Sequence, residues 1–206
     1  MRYFITTLLA VLITTTGFSQ STKTIFDGEK LVWCGLDFSR ATMIGVTDVP
    51  AKDLVSKFFA EWNNATVYEK DKFYLESFFR KMNVYYDMTS STRHNEAVNP
   101  ANLLGTEAKP ITRADIEKLV ADYTDLKRKE GLGLIFVIES FNKKKELAVA
   151  HCTYFDIATR KVLLTKEVSG KPGGGGLKNF WTRSIAGMMQ TIDKTLFEQW
   201  RSELSK

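Results

Sequence analysis

The sequence predicts an α/β protein: a three-layer sandwich with a mixed sheet, a C-terminal antiparallel meander and a long C-terminal helix. Two apolar runs are the first observation. Leu31 to Phe38 and Leu134 to Ile138 are almost uninterrupted, as strands covered on both faces are. The second is a set of four segments with apolar residues at helical spacing, enough to cover both sides of a sheet. The third is a pair of short polar turns, at residues 142–145 and 156–160, that divide residues 134–168 into three strands running back and forth.

The elements follow in order. Met43 to Val46 extends or pairs with the first strand. Pro50 opens a helix at its favoured first position, and Leu54, Val55, Phe58, Phe59 and Trp62 form its stripe. Asn63-Asn64 closes it. A second helix is expected over residues 69–81, with Leu75, Phe78, Phe79 and Met82 inward. Asn83 to Met88 reads as a strand.

Residues 89–110 are polar or marked by Gly and Pro. A stretch that long is functional, mobile, or hides a short helix. Thr112 and Asp115 resemble a capping box, and Ile116, Leu119, Val120, Tyr123 and Leu126 give the amphipathic helix behind it. After the three strands, Gly173 to Gly176 forms a flexible loop. The closing helix carries Leu177, Trp181, Ile185, Met188, Ile192, Leu196, Trp200 and Leu204 on one seam. Nothing divides these elements, so residues 20–206 form a single α/β domain.

Residues 1–19 read as a secretory signal peptide. Met1-Arg2 supplies the positive start and Phe4 to Ile13 the apolar core. Gly17-Phe18-Ser19 supplies the small residues at the cut. The expected location is periplasmic or secreted, and no later segment is long and apolar enough to span a membrane. In an oxidising compartment Cys34 and Cys152 can form a disulfide, or both can be buried free thiols within strands.

Hydrophobic residues at 44% and charged residues at 26% exclude a disordered chain, and a net charge of +5 is too mild to signal nucleic acid. No G-x-S-x-G, H-E-x-x-H or P-loop pattern occurs, so no cofactor or metal is expected. In the Gly-rich loop Lys171 precedes the glycines instead of following them. That favours a connector, with an anion site around Lys171 as the sharper alternative. The ends of the first two strands carry Asp37 with Ser39, and Asp87 with Thr89, Ser90, Ser91, Thr92 and His94. If those strands are parallel, Asp37, Asp87 and His94 share the carboxyl edge, where open α/β sheets bind ligands. Turn chemistry is the plainer explanation of the same residues. His151, with apolar neighbours, reads as a sheet histidine.

Phe155-Asp156, Thr159 to Leu163, Gly170-Lys171, the Gly run and the final amphipathic helix resemble the C-terminal hairpin and helix of periplasmic α/β assembly factors. These are the curli-secretion lipoproteins and penicillin-binding-protein activators. Arg160 stands where that pattern has Gly, and the lipoprotein Cys is absent. The chain as a whole resembles small exported proteins of Gram-negative bacteria. The resemblance implies a non-enzymatic scaffold or assembly role with an envelope protein partner. The alternative is a small-ligand binder or hydrolase using the strand-end residues.

Overall fold

A computed structural model describes residues 23–205. The expected signal peptide, residues 1–19, lies outside the described residues. The described residues form a mixed α/β fold around one seven-stranded sheet. The strands are β1 (Lys30–Asp37), β2 (Thr42–Ile44), β3 (Asn83–Tyr86), β4 (Leu104–Gly105), β5 (Leu132–Asn142), β6 (Leu147–Asp156) and β7 (Lys161–Gly170). Most pairings are parallel: β1 with β3 and β5, and β2 with β4 and β5. β6 runs antiparallel between β5 and β7. No helix among the described residues is long and apolar enough to cross a membrane.

β5 organises the sheet because it is long and apolar along its length. Its first half pairs with β1, up to Asp37 opposite Val137. Its last three residues pair with β2, from Thr42 opposite Ser140. β1 and β2 therefore follow one edge of β5, interrupted at residues 38–41. The break has a physical cause. Phe38 is drawn into the core and stacks on Phe59 at 4.3 Å between ring centroids, while Ser39 and Arg40 turn outward. β2 thus pairs with β5 and β4 and does not pair with the first strand.

Helix α1 opens as Ala51–Asp53, passes through a π-helical turn at Leu54–Phe58 and continues as Phe59–Tyr68. It does not stop at Asn63. That side chain is buried and bonds across to β1, so the polar residue serves the strand and leaves the helix intact. The expected helix over residues 69–81 contracts to one turn, α2 (Leu75–Phe78). Leu75 and Phe79 are buried as expected, but Met82 is 71% exposed. Residues 89–110 contain α3 (Thr89–Glu96) and a 3-10 turn (Pro100–Asn102). α4 (Arg113–Ala121) starts from the Thr112–Asp115 capping box. The closing helix α5 runs as Gly176–Thr191, a π-helical turn at Ile192–Leu196, and Phe197–Leu204. The π turn adds a residue to the repeat, so Phe197 is buried behind it and Leu196 is only half-buried.

Four helical segments were enough to cover both sides of the sheet, but the two faces are covered unequally. α1 and α5 pack on one side, where Trp33, Phe136, Phe141, Trp62 and Trp181 form the larger core. Among the described residues α4 covers the other, with Ile116, Val120 and Tyr123 against Val32, Ile135, Val137 and Phe155. α5 approaches β7 so closely that a Cβ on Gly170 would stand 2.1 Å from the Ser184 carbonyl oxygen. Cys34 belongs to the α4-side core and Cys152 to the opposite one, so the sheet separates them; both are free and buried.

Candidate functional site

The site forms where β1 ends. β1 carries a register shift between Trp33 and Leu36, with Gly35 at φ +91°. This irregular stretch leaves backbone groups without ladder partners, and buried polar side chains satisfy them. Asn63 Oδ1 accepts from Leu36 N at 2.8 Å, and its Nδ2 donates to Leu36 O at 3.0 Å. Asn95 Oδ1 accepts from Phe38 N at 2.6 Å, and Ser91 Oγ donates to Cys34 O at 2.6 Å. An unsatisfied buried backbone group costs about 1–3 kcal/mol, so these contacts hold the strand end in one geometry.

That geometry presents Asp37, which is fully buried. Its Oδ1 accepts from Ser39 N at 2.8 Å and Ser39 Oγ at 2.5 Å. Its Oδ2 accepts from Tyr123 Oη at 2.8 Å and pairs with His94 Nδ1 at 2.7 Å. On the far side of the imidazole, Nε2 lies 2.8 Å from Asp122 Oδ2. His94 is thus held between two carboxylates, and the ring donates to both when it is doubly protonated. Burial alone would lower its pKa. The hydrogen bond and charge of Asp37, joined by Asp122, outweigh that and hold it above the ordinary 6.5. Burial also pushes the Tyr123 hydroxyl well above its usual range, with the Asp37 charge acting in the same direction.

A second ring of contacts fixes Asp122. Arg93 Nη1 donates to its Oδ2 at 2.9 Å, Arg93 Nη2 to its carbonyl at 2.7 Å, and Arg93 Nε to Asp125 Oδ2 at 3.0 Å. Arg93, with His94 behind it, draws the Asp122 carboxyl below its ordinary value. A pocket of about 750 Å³ opens beside this group, lined by Ser39, Arg40, His94, Asn99, Lys118 and Asp122 among others. Arg40 and Lys118 make no ion pair within 4.0 Å among the described residues, so both bring cationic charge to the pocket wall.

Asp37 and His94 meet as the carboxyl-edge argument expects. Asp87 does not join them. It lies one residue past β3, where its Oδ2 accepts from the backbone N–H groups of Lys127 and Arg128 at 2.7 and 3.1 Å. Its Oδ1 accepts from Thr89 Oγ1 at 2.9 Å. That is loop-fastening chemistry. Lys171 lines a different groove, of about 1000 Å³, with Gly173, Asn179 and Arg183. There the Gly-rich loop folds onto the first turn of α5. Gly173 N donates to Phe180 O at 3.1 Å, and Asn179 Nδ2 donates to Gly175 O at 3.1 Å.

Sequence reasoning missed Asp122, Tyr123, Arg40 and Lys118. Tyr123 was visible only as an apolar position of α4's stripe. α3 was hidden because it buries its polar face: Ser90, Ser91, His94 and Asn95 point inward. An apolar repeat cannot reveal such a helix, but the same four residues mark the right face once polar burial is allowed. No family model, curated protein or solved structure matches the chain.

Proposed function

We propose that this is an exported protein that binds a small anionic ligand in the pocket beside His94. One observation carries the reading: an imidazole held between Asp37 and Asp122 forms part of a pocket to which Arg40 and Lys118 add cationic charge. The position supports it, since ligands of open α/β sheets sit beyond the carboxyl ends of parallel strands. Binding fits the geometry better than hydrolysis. Ser39 Oγ donates to Asp37, and His94 Nε2 faces Asp122, so the two do not form a nucleophile and base pair. Calorimetric titration of inorganic phosphate, nucleotides and short dicarboxylates tests the idea. Saturable binding should weaken with salt and disappear in the Arg40→Ala, Lys118→Ala double variant. No saturable binding by any of these anions at millimolar concentration would overturn it.

Export rests on the charged start, apolar core and small-residue cut within residues 1–19. Mass spectrometry of protein from native envelopes should find a chain beginning near Gln20; an intact Met1 would defeat this part.

A scaffold role with an envelope protein partner is the second reading. It is favoured by Tyr68, Tyr74 and Met82, at 78%, 60% and 71% exposure within one stretch of chain. Capture of an envelope protein that is lost in Tyr74→Ser, with anion binding unchanged, would support it.

A further inference from the structure

We propose a second site, for a divalent transition-metal cation, formed by Glu139, His151 and Glu167 on adjacent strands β5, β6 and β7. His151 sits directly opposite Glu167 in the β6–β7 register, so both side chains leave the same face. Glu139 reaches that face by strand alternation, two residues beyond Val137, which lies opposite His151. The β5–β6 register shifts between Ile138 and Ser140, and Glu139 is the extra residue. One ligand atom from each residue lies within 4.8 Å of the other two.

His151 Nε2 and Glu139 Oε2 are hydrogen-bond partners 3.0 Å apart. Two ligands of a tetrahedral ion, each at roughly 2.1 Å, stand about 3.4 Å apart, so a cation in place of the shared proton opens that pair by only a few tenths of an ångström. Glu139 is held in place by the Ile111 N–H, which donates to the same Oε2 at 3.1 Å. The Glu167 side chain has neither a hydrogen bond nor an ion pair among the described residues, although it stands beside a second carboxylate. A cation resolves that repulsion, and the half-open face leaves outer coordination positions to water. Imidazole with two carboxylates suits Zn2+ or Mn2+ better than Mg2+, which prefers an all-oxygen shell. His94 offers no such site, because Asp37 and Asp122 lie on opposite ring nitrogens and cannot converge on one ion.

The test is calorimetry of the purified chain with Zn2+ at neutral pH, combined with NMR of the histidine ring signals. One Zn2+ should bind per chain. The ring signals of His151 should shift and those of His94 should not; the two are assigned with His151→Gln and His94→Gln. Glu167→Gln, on an exposed side chain that leaves the fold intact, should weaken Zn2+ by about tenfold or more. A large excess of Mg2+ should not displace it. The proposal is overturned by absence of saturable binding, by equal affinity in Glu167→Gln, by a shift at His94 alone, or by full displacement with Mg2+.

Discussion

His94 Nδ1 stands 2.7 Å from Oδ2 of Asp37, and the Tyr123 hydroxyl meets the same oxygen at 2.8 Å. With Ser39 on the other oxygen, the fully buried Asp37 carboxylate has a full set of donors from the protein itself. A carboxylate so enclosed is tolerated only while its partners stay in place, because an unpaired buried charge is far more costly than an absent one.

Removal of one member of the pair should therefore be costly. His94→Ala leaves Asp37 with one fewer partner in a fully buried setting, and a loss of about 3–5 kcal/mol is expected by urea unfolding. Tyr123→Phe removes one neutral donor and should cost about 0.5–1.5 kcal/mol. If the two variants lose the same amount, the imidazole is not the dominant partner.

The pair should also make stability depend on pH, with a definite sign. His94 has a folded-state pKa above its ordinary 6.5. The folded state then holds the proton more tightly than the unfolded chain does. Its stabilisation is fully present below pH 6.5 and is lost as pH rises through the raised folded value. The stability gap between wild type and His94→Gln should narrow over that window. A gap that widens with rising pH would contradict the assignment.

Asp87 should behave as a fastener. Asp87→Ala leaves the Lys127 and Arg128 amides without their carboxylate, at an expected cost of about 1–3 kcal/mol. Anion binding in the pocket beside His94 should be unchanged, since Asp87 does not contact that pocket. Loss of binding with full retention of stability would reverse its role.

The glycines ahead of α5 should respond individually. Gly175 has φ −86° and nothing within 4 Å of a built Cβ, so Gly175→Ala should be neutral or stabilising by up to about 1 kcal/mol. Gly176, at φ +76°, should cost roughly 1–2 kcal/mol on the same change. Gly170→Ala should be the worst, because its Cβ meets the Ser184 carbonyl of α5. Thermal melts of the three variants check the order.

The thiols should be inert in the native protein. Burial raises the pKa of both Cys34 and Cys152, so little thiolate forms. A thiol reagent should label neither until the protein unfolds, and then both. Mass analysis without reductant should show no bridge, since the sheet lies between them.

Much of the architecture was legible because it follows from local pattern. The continuous apolar run at Leu134 to Ile138 matches a strand buried on both faces, and it is the middle of β5. The Thr112–Asp115 pair starts α4 by satisfying orphan backbone donors. Where a polar side chain serves a distant backbone, the pattern misleads. Asn63 looked like a helix end, yet its bonds to Leu36 lie across the core. Met82 looked inward, but α2 ends at Phe78 and carries it out to solvent.

The amino-acid sequence alone determined the two buried strands β1 and β5 and the apolar stripes of α1, α4 and α5, because spacing and capping act within a few residues; Asp37 and His94 share one edge because β1 and β3 pair in parallel, which the fold decides. Tertiary structure alone decided that Asp122 and Tyr123 complete that group while Asp87 leaves it. It also decided that, among the described residues, α1 and α5 pack on one face of the sheet and α4 on the other. Those outcomes depend on where β1 breaks and which distant backbone groups must be satisfied there. Contacts between residues far apart in the chain leave no periodic trace in a single sequence.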